Sequence, residues 1–146
     1  MNKLIMLVGI PGSGKSTWAK EQVTASGGRV KRVNRDDLRA MIDCGQWSKA
    51  NEKLIVEVRN RIIVESLRRF NDVIVDDTNL TRYHERDLRN LLNELTFKPE
   101  FEVKVFDTPF EVCVERNAKR EGRARVPDND MLRMRKDFES WQANYS

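Results

Sequence analysis

The segment from Gly9 to Ser16, Gly-Ile-Pro-Gly-Ser-Gly-Lys-Ser, has the spacing of a phosphate-binding loop. In such loops backbone N–H groups face phosphate oxygens, the lysine reaches the outer phosphates, and the hydroxyl after the lysine ligates magnesium. An apolar run, Leu4 to Val8, precedes the segment, and a helical stretch through Trp18 and Val23 follows it. Because the motif requires this order of strand, loop and helix, the sequence predicts a site for a nucleoside triphosphate and Mg²⁺.

Polar residues follow two other apolar segments. The run Asn34-Arg-Asp-Asp37 comes after one predicted strand, and Asp76-Asp-Thr-Asn79 comes after the next. Ligands of open parallel sheets bind beyond the carboxyl ends of the strands, so both runs are candidate site segments. Asp36 and Arg39 can share one face of a short helix. Asp36 suits a base that accepts an acceptor's proton, and it suits equally the N-cap of a helix over 37–42.

Five basic residues crowd the stretch that follows the fourth predicted strand and its helix. They are Arg116, Lys119, Arg120, Arg123 and Arg125. Cations at this place can offset charge on a phosphoryl group during its transfer, or they can form a solvated basic surface. The net charge of +4 adds a modest attraction for polyanions.

Apolar strands alternate with amphipathic helices along the chain, which predicts an α/β fold with a parallel sheet of about four or five strands flanked by helices. The predicted strands are Lys3 to Val8, Arg29 to Asn34, Asp72 to Asp76 and Glu102 to Phe106. Predicted helices cover Trp47 to Phe70, Thr81 to Leu95, a stretch from Pro109, and Pro127 or Asp128 to Ala143. A chain of 146 residues fits a single domain, residues 1–146.

The composition is typical of a soluble globular protein and not of a membrane protein. Charged residues make up 34% and apolar residues 39%, as in soluble globular proteins, and the apolar runs are too short to span a membrane. The first residues lack the pattern of a secretion signal, so we expect a cytoplasmic protein. Cys44 and Cys113 lack metal-ligand spacing and are expected to be partly buried. The tryptophans Trp18, Trp47 and Trp141 are expected to pack in the core or between helices, and His84 is expected to be solvated.

A triphosphate site is compatible with a switch, a motor or a phosphoryl transferase. The Asn-Lys-x-Asp sequence with which switch GTPases read the base is missing, and 146 residues are few for a motor domain. Phosphoryl transfer is therefore favoured. It needs a proton acceptor, cations for the moving phosphoryl group and a lid that excludes water.

The ordered set of motifs resembles the kinase domain of phage-type polynucleotide 5′-hydroxyl kinases, over nearly the whole chain. The segments that carry the resemblance are Gly9-Ile-Pro-Gly-Ser-Gly-Lys-Ser-Thr-Trp-Ala19, Asn34-Arg-Asp-Asp-Leu-Arg39, Asp77-Thr-Asn-Leu80, Val105-Phe-Asp107, Arg116-Asn-Ala-Lys-Arg120 and Val126-Pro127. It implies the P-loop kinase fold, with a short arginine-rich lid at about residues 120–127.

The resemblance also implies roles for individual residues. Asp36 would be the general base for a polynucleotide 5′-OH, Arg39 would clamp the acceptor's nearby phosphate, and Arg120 would contact the donor phosphates from the lid. The lid segment is about one residue longer than in that family, so Arg123 or Arg125 is an alternative lid arginine.

Other implied roles concern the metal and the acceptor. Asp77 would hold a magnesium-bound water or line the acceptor site with Thr78; Asp76 fits the metal role too, but the family pattern is Asp-Thr-Asn. Val126 and Pro127 would pack against the terminal base, or simply form a lid hinge and a helix start.

The resulting hypothesis is a kinase that transfers the γ-phosphate of ATP to the 5′-OH end of DNA or RNA in nucleic acid repair, in the host cytoplasm if the gene is carried by a phage. Expected catalytic residues are Lys15, Asp36, Arg39 and Arg120. Expected nucleotide-binding residues are Gly9, Pro11, Gly12, Ser13, Gly14, Lys15, Ser16, Thr17, Arg116 and Arg120, with Ser16 on the metal.

Two activities that accompany related kinases are not expected. Asp128-Asn-Asp130 lacks the preceding strand of a 3′-phosphatase motif, so no such activity is predicted, and end sealing would need a separate ligase. The alternative functions are a small-molecule kinase for a sugar, nucleoside or nucleotide-sugar, and a nucleotide-gated nucleic-acid binding module without transfer.

Overall fold

The computed structural model describes residues 1–145. Its strands are β1 (Lys3–Val8), β2 (Val30–Val33), β3 (Asp72–Val75) and β4 (Glu100–Val105). Its helices are α1 (Lys15–Ala25), α2 (Arg35–Asp43), α3 (Lys49–Arg68), α4 (Arg82–Leu91), α5 (Phe110–Ala118) and α6 (Asp128–Asn144), with short 3₁₀ helices at Leu92–Glu94 and Gly122–Ala124.

The four strands form one parallel sheet in the order β2-β3-β1-β4. Ile5 at its centre lies opposite Ile74 on one side and Glu102 on the other. The inner strands β1 and β3 are apolar almost throughout, because helices cover both faces of such a sheet. All four carboxyl ends therefore lie along the same edge of the sheet, which places the segments after β1, β2 and β3 side by side.

Alternate residues of β1 point to two different apolar layers. Leu4, Met6 and Val8 belong to the larger core cluster, which includes buried residues of α3, α4 and α6. Ile5 and Leu7 face the smaller cluster, to which Ala19 of α1 belongs. Helix α1 thus packs on one face of the sheet, while α3, α4 and α6 pack on the other.

The predicted α/β fold is confirmed, and the sheet has four strands within residues 1–145. Element bounds shift by a few residues. The long predicted helix begins at Lys49 rather than at Trp47, because the Ser48 side chain accepts a hydrogen bond from the Asn51 N–H at 3.0 Å and so caps the helix. Beyond Leu91 the predicted helix continues only as 3₁₀ turns.

Three side-chain placements differ from the expectation. Trp141 is buried and Trp18 is partly buried as predicted, but Trp47 is 69% exposed, because it precedes the capped helix. Cys44 is exposed and Cys113 is fully buried.

None of the helices described over residues 1–145 has the length and apolar character needed to cross a membrane.

Candidate active site

The loop between β1 and α1 has a backbone conformation that favours glycine at two positions. Gly12 and Gly14 both have positive φ angles, 82° and 100°. A Cβ on Gly12 would lie 2.6 Å from the Cys113 carbonyl oxygen, so only glycine fits between the loop and α5. The Thr108 hydroxyl donates to the Ser13 carbonyl at 2.7 Å, and the loop is therefore held from the β4–α5 side.

Lys15 folds back over this loop. Its ammonium group is buried and donates to the carbonyl oxygens of Gly9 at 2.8 Å and Ile10 at 2.9 Å. Burial lowers the pKa of Lys15 to about 8, the positive charge of Arg120 acts in the same direction, and Asp76 opposes the shift. A buried ammonium group that is costly to keep charged favours an anionic ligand, as the phosphates of a nucleotide would be.

Ser16 faces a carboxylate. Its hydroxyl donates to Asp76 Oδ2 at 2.8 Å, and Arg32 Nε donates to the same oxygen at 2.8 Å. The second oxygen, Asp76 Oδ1, is buried and has no hydrogen-bond partner among the described residues. Because Mg²⁺ prefers oxygen ligands and retains several waters, this pair of Ser16 and Asp76 fits a magnesium site in which the free carboxylate oxygen holds a metal-bound water.

Asp77 does not share this position, since it is Asp76 that contacts Ser16. Its Oδ1 accepts from the Arg35 backbone N–H at 2.9 Å, and its Oδ2 accepts from Arg59 Nη1 at 3.1 Å. Asp77 is buried and both oxygens are engaged, so it fastens the start of α2 and the middle of α3 to the end of β3. The Thr78 carbonyl accepts from the Gly9 N–H at 3.1 Å and supports the loop in the same way.

The start of α2 presents Asp36. Asn34 caps the helix, since its side chain accepts from the Asp37 N–H at 2.7 Å, and the alternative that Asp36 serves as the cap is wrong. The Asp36 side chain is 92% exposed and pairs with Arg39 Nη1 one helical turn away. An exposed carboxylate after β2, with only β3 between it and the strand that leads into the phosphate-binding loop, has room to accept a proton from an incoming hydroxyl group.

Arg39 is held by a residue that sequence reasoning missed. Arg39 Nε donates to Glu52 Oε2 at 2.8 Å and Arg39 Nη2 donates to Glu52 Oε1 at 2.5 Å. This hydrogen bonding lowers the pKa of Glu52. An acidic residue in the first turn of a helix is common, so nothing in the sequence singled out Glu52. The fork-to-fork geometry fixes the direction of the guanidinium group.

The lid arginines divide between two sides of the cleft. Arg116 Nη1 donates to the Gly12 carbonyl at 3.1 Å, and Arg120 is close enough to Lys15 to affect its pKa. The Arg123 side chain instead crosses to Gly45, beyond the end of α2, where a Cβ would lie 2.8 Å from its Cζ. Arg116 and Arg120 therefore lie on the side of the phosphate-binding loop, whereas Arg123 lies beside the turn that follows α2.

The end of the lid is fixed by Asn117. This buried amide donates to the Val126 carbonyl at 2.7 Å and accepts from the Val126 N–H at 2.9 Å. The Val126 side chain packs partly against the core, and Pro127 stands exposed at the start of α6. Of the two predicted base contacts, Pro127 is thus the more accessible.

His84 is not the solvated side chain that the sequence suggested. Burial, followed by the charges of Arg35 and Arg59, lowers the pKa of His84 to about 4. It is therefore neutral at physiological pH and packs beside the ion pairs that surround Asp77.

A family model described as an AAA domain matches residues 4–141, which is nearly the whole chain. The chain belongs to the AAA domain family. Several individual proteins are similar to this AAA domain. The L-seryl-tRNA(Sec) kinase of Methanococcus maripaludis is 28% identical over 148 residues, covering 98% of the domain and 55% of that protein. The bifunctional polynucleotide phosphatase/kinase of Schizosaccharomyces pombe is 32% identical over 79 residues, covering 54% of the domain and 15% of that protein.

Solved structures share the fold of this AAA domain. A chain of the Pnkp1/Rnl/Hen1 RNA repair complex superposes with a TM-score of 0.82 at 30% identity, covering 99% of the domain and 46% of that chain. A gluconokinase from Sinorhizobium meliloti superposes with a TM-score of 0.61 at 19% identity. The superposition covers 98% of the domain and 78% of that chain. The fold is that of the P-loop kinases. The AAA domain spans about half the length of the tRNA kinase and of the RNA repair chain.

Proposed function

We propose that this AAA domain transfers the γ-phosphoryl group of ATP to the 5′-hydroxyl end of DNA or RNA. The observation that carries the proposal is the exposed Asp36 carboxylate beside Arg39, on a helix that starts at the sheet edge where the phosphate-binding loop lies. The polynucleotide phosphatase/kinase of fission yeast and the RNA repair complex support it through their similarity. The phage-type origin suggested by the motifs stays a prediction.

In the proposed reaction, Asp36 accepts the proton of the 5′-OH as the O5′ oxygen attacks the γ-phosphorus. The new O5′–P bond forms while the bond from that phosphorus to the bridging oxygen of ADP breaks, and ADP leaves with that electron pair. Lys15 and Arg120, on the nucleotide side, offset the charge of the transferred group. Magnesium, when bound near Ser16 and Asp76, neutralises charge on the donor phosphates.

Arg39 explains why the proposed acceptor is a polynucleotide rather than a free nucleoside. Glu52 and Asp36 occupy three of the five N–H groups of Arg39. The two that remain, one on Nη1 and one on Nη2, can hold two oxygens of the phosphate that follows the terminal nucleoside, which aligns the 5′-OH with Asp36. A nucleoside without that phosphate should therefore be a poorer acceptor than a nucleoside 3′-monophosphate.

A second candidate acceptor is a serine hydroxyl carried by a tRNA. It is favoured by one observation, the 28% identity of a relative named L-seryl-tRNA(Sec) kinase over 98% of this domain. The gluconokinase shares only the fold, at 19% identity, and adds no support for a sugar acceptor.

The test is labelling from ATP that carries labelled γ-phosphate. The acceptors compared are single-stranded DNA and RNA with 5′-OH ends, the same strands with 5′-phosphate ends, L-seryl-tRNA and gluconate. We expect label only on the 5′-OH strands, removable by a 5′-phosphatase, with a Michaelis constant that rises steeply with salt. Label confined to L-seryl-tRNA or gluconate, or absent from every acceptor, would contradict the proposal.

We also propose that this domain does not remove 3′-phosphates. Asp128 and Asp130 lie in the first turn of α6 and do not follow a strand. The same preparation should leave a 3′-phosphorylated strand unchanged, and release of inorganic phosphate from that strand would overturn this point.

A further inference from the structure

Trp47 is the least buried tryptophan of the chain. Its side chain is 69% exposed, whereas Trp141 is 4% exposed and Trp18 is partly buried. Exposure of a large aromatic ring forgoes the favourable burial that such a side chain otherwise contributes. The position of Trp47 in the fold indicates what can cover it.

The turn that carries Trp47, residues 44–48, is fastened to Arg39 at both ends. At its start, the Gly45 N–H donates to the Arg39 carbonyl at 2.9 Å. At its end, Ser48 caps α3, and Glu52 in the first turn of α3 binds the Arg39 guanidinium group. Trp47 therefore projects from a turn that is anchored on both sides to the proposed phosphate clamp.

A second cation reaches the same turn from the lid. The aliphatic stem and guanidinium group of Arg123 lie against Gly45, two residues before Trp47, so closely that a side chain on Gly45 would collide with them. The φ angle of Gly45 is 79°, which also favours glycine. Trp47 thus lies two residues from Gly45, which contacts the Arg39 carbonyl on one side and the Arg123 side chain on the other. Aromatic rings interleaved with cations are typical of sites for single-stranded nucleic acid.

We propose that Trp47 stacks on the base of the second nucleotide of the acceptor strand, the nucleotide on the 3′ side of the phosphate that Arg39 holds. This inference rests on the proposed function and adds to it a specificity-determining residue. Stacking on an aromatic face tolerates any base, so Trp47 favours strands over single nucleotides without reading sequence. The second base must be unpaired to reach the ring, and a single-stranded 5′ end is therefore the preferred acceptor.

The test compares two acceptors for the wild-type domain and two variants. With a 5′-OH oligonucleotide, Trp47→Ala should raise the Michaelis constant for the acceptor by about five- to 150-fold, as expected for loss of one stacked base. Trp47→Phe should restore most of the affinity. With a nucleoside 3′-monophosphate, which keeps the Arg39 contact but lacks the second base, neither variant should differ from wild type.

Phe70 provides a matched control. It is 70% exposed, as Trp47 is, but follows the far end of α3 and stacks on Phe97. Phe70→Ala should leave the Michaelis constant for the oligonucleotide unchanged. In a binding assay the oligonucleotide should quench the tryptophan fluorescence of the wild type, and Trp47→Phe should lose that quenching while it keeps the affinity.

The outcomes separate this inference from the proposed function. Equal Michaelis constants for wild type and Trp47→Ala, an effect of equal size with the nucleoside 3′-monophosphate, or failure of phenylalanine to rescue would overturn the stacking role alone. If the wild type labels no 5′-OH strand, the proposed function itself is wrong and the stacking role fails with it.

Discussion

Glu52 holds Arg39 with two parallel hydrogen bonds, from Nε to Oε2 at 2.8 Å and from Nη2 to Oε1 at 2.5 Å. The two residues lie on different helices, α2 and α3, so this contact sets the direction in which the Arg39 guanidinium group points. Asp36 Oδ1 accepts a hydrogen bond from Nη1, which leaves one N–H on Nη1 and one on Nη2 for the acceptor phosphate. The proposed base and the proposed phosphate clamp are thus positioned together by one carboxylate outside the motifs.

Glu52→Gln should raise the Michaelis constant for a 5′-OH oligonucleotide by about tenfold, because a neutral amide cannot accept both charge-assisted bonds. The Michaelis constant for ATP should not change, since Glu52 lies on the acceptor side. Steady-state kinetics with each substrate varied in turn measures both effects.

Glu65→Gln is the control for that variant. Glu65 also lies on α3 and pairs with two arginines, Arg68 at 2.8 Å and Arg69 at 2.9 Å, but these residues are at the other end of the helix. We expect wild-type constants for Glu65→Gln. The positioning role of Glu52 is refuted if both variants behave alike.

Asp76→Asn and Asp77→Asn should have different effects although the residues are adjacent. Asp76 faces Ser16, so its substitution should raise the Mg²⁺ concentration needed for half-maximal transfer by about tenfold. Asp77 instead pairs with the buried Arg59, and breaking that pair should lower the free energy of unfolding by about 3 kcal/mol or more. Magnesium titration of the transfer rate and urea denaturation measure the two effects. A larger change in magnesium requirement for Asp77→Asn would reverse our assignment.

Nucleotide affinity should depend on the protonation of Lys15. Because burial lowers its pKa to about 8, the ammonium group is mostly charged at pH 7 and about nine-tenths neutral at pH 9. ATP phosphates bind the charged form, so affinity is highest below pH 8 and should fall about tenfold between pH 7 and pH 9. Calorimetric titration with ATP across this range measures the change. Lys15→Arg should show a flat profile whatever its absolute affinity, and a flat wild-type profile would disprove the role of Lys15 deprotonation.

Local sequence patterns predicted the fold and part of the site. The four strands, the phosphate-binding loop and the spacing of Asp36 and Arg39 are properties of short segments, and the structure keeps them with small shifts at the element ends. The α/β alternation similarly predicts a parallel sheet, but it does not give the strand order β2-β3-β1-β4.

Contacts between segments that are distant in the chain could not be predicted from the sequence. The choice between Asp76 and Asp77 depends on Arg32 and Arg59, which come from β2 and α3. The predicted helix begins at Trp47, but the Ser48 cap starts the helix at Lys49, two residues later. In both cases a hydrogen bond determines where the side chain lies, and the periodicity of apolar residues does not predict that bond.

The most direct test of the central claim is the rate of γ-phosphate transfer to a 5′-OH oligonucleotide by Asp36→Asn, with Asp37→Asn as the neighbouring control. Asp37 serves the helix cap and Arg32, so its variant should keep transfer near the wild-type rate. We predict that Asp36→Asn binds ATP with wild-type affinity and loses about two to four orders of magnitude in turnover. Near-normal turnover of Asp36→Asn on that oligonucleotide would contradict the account.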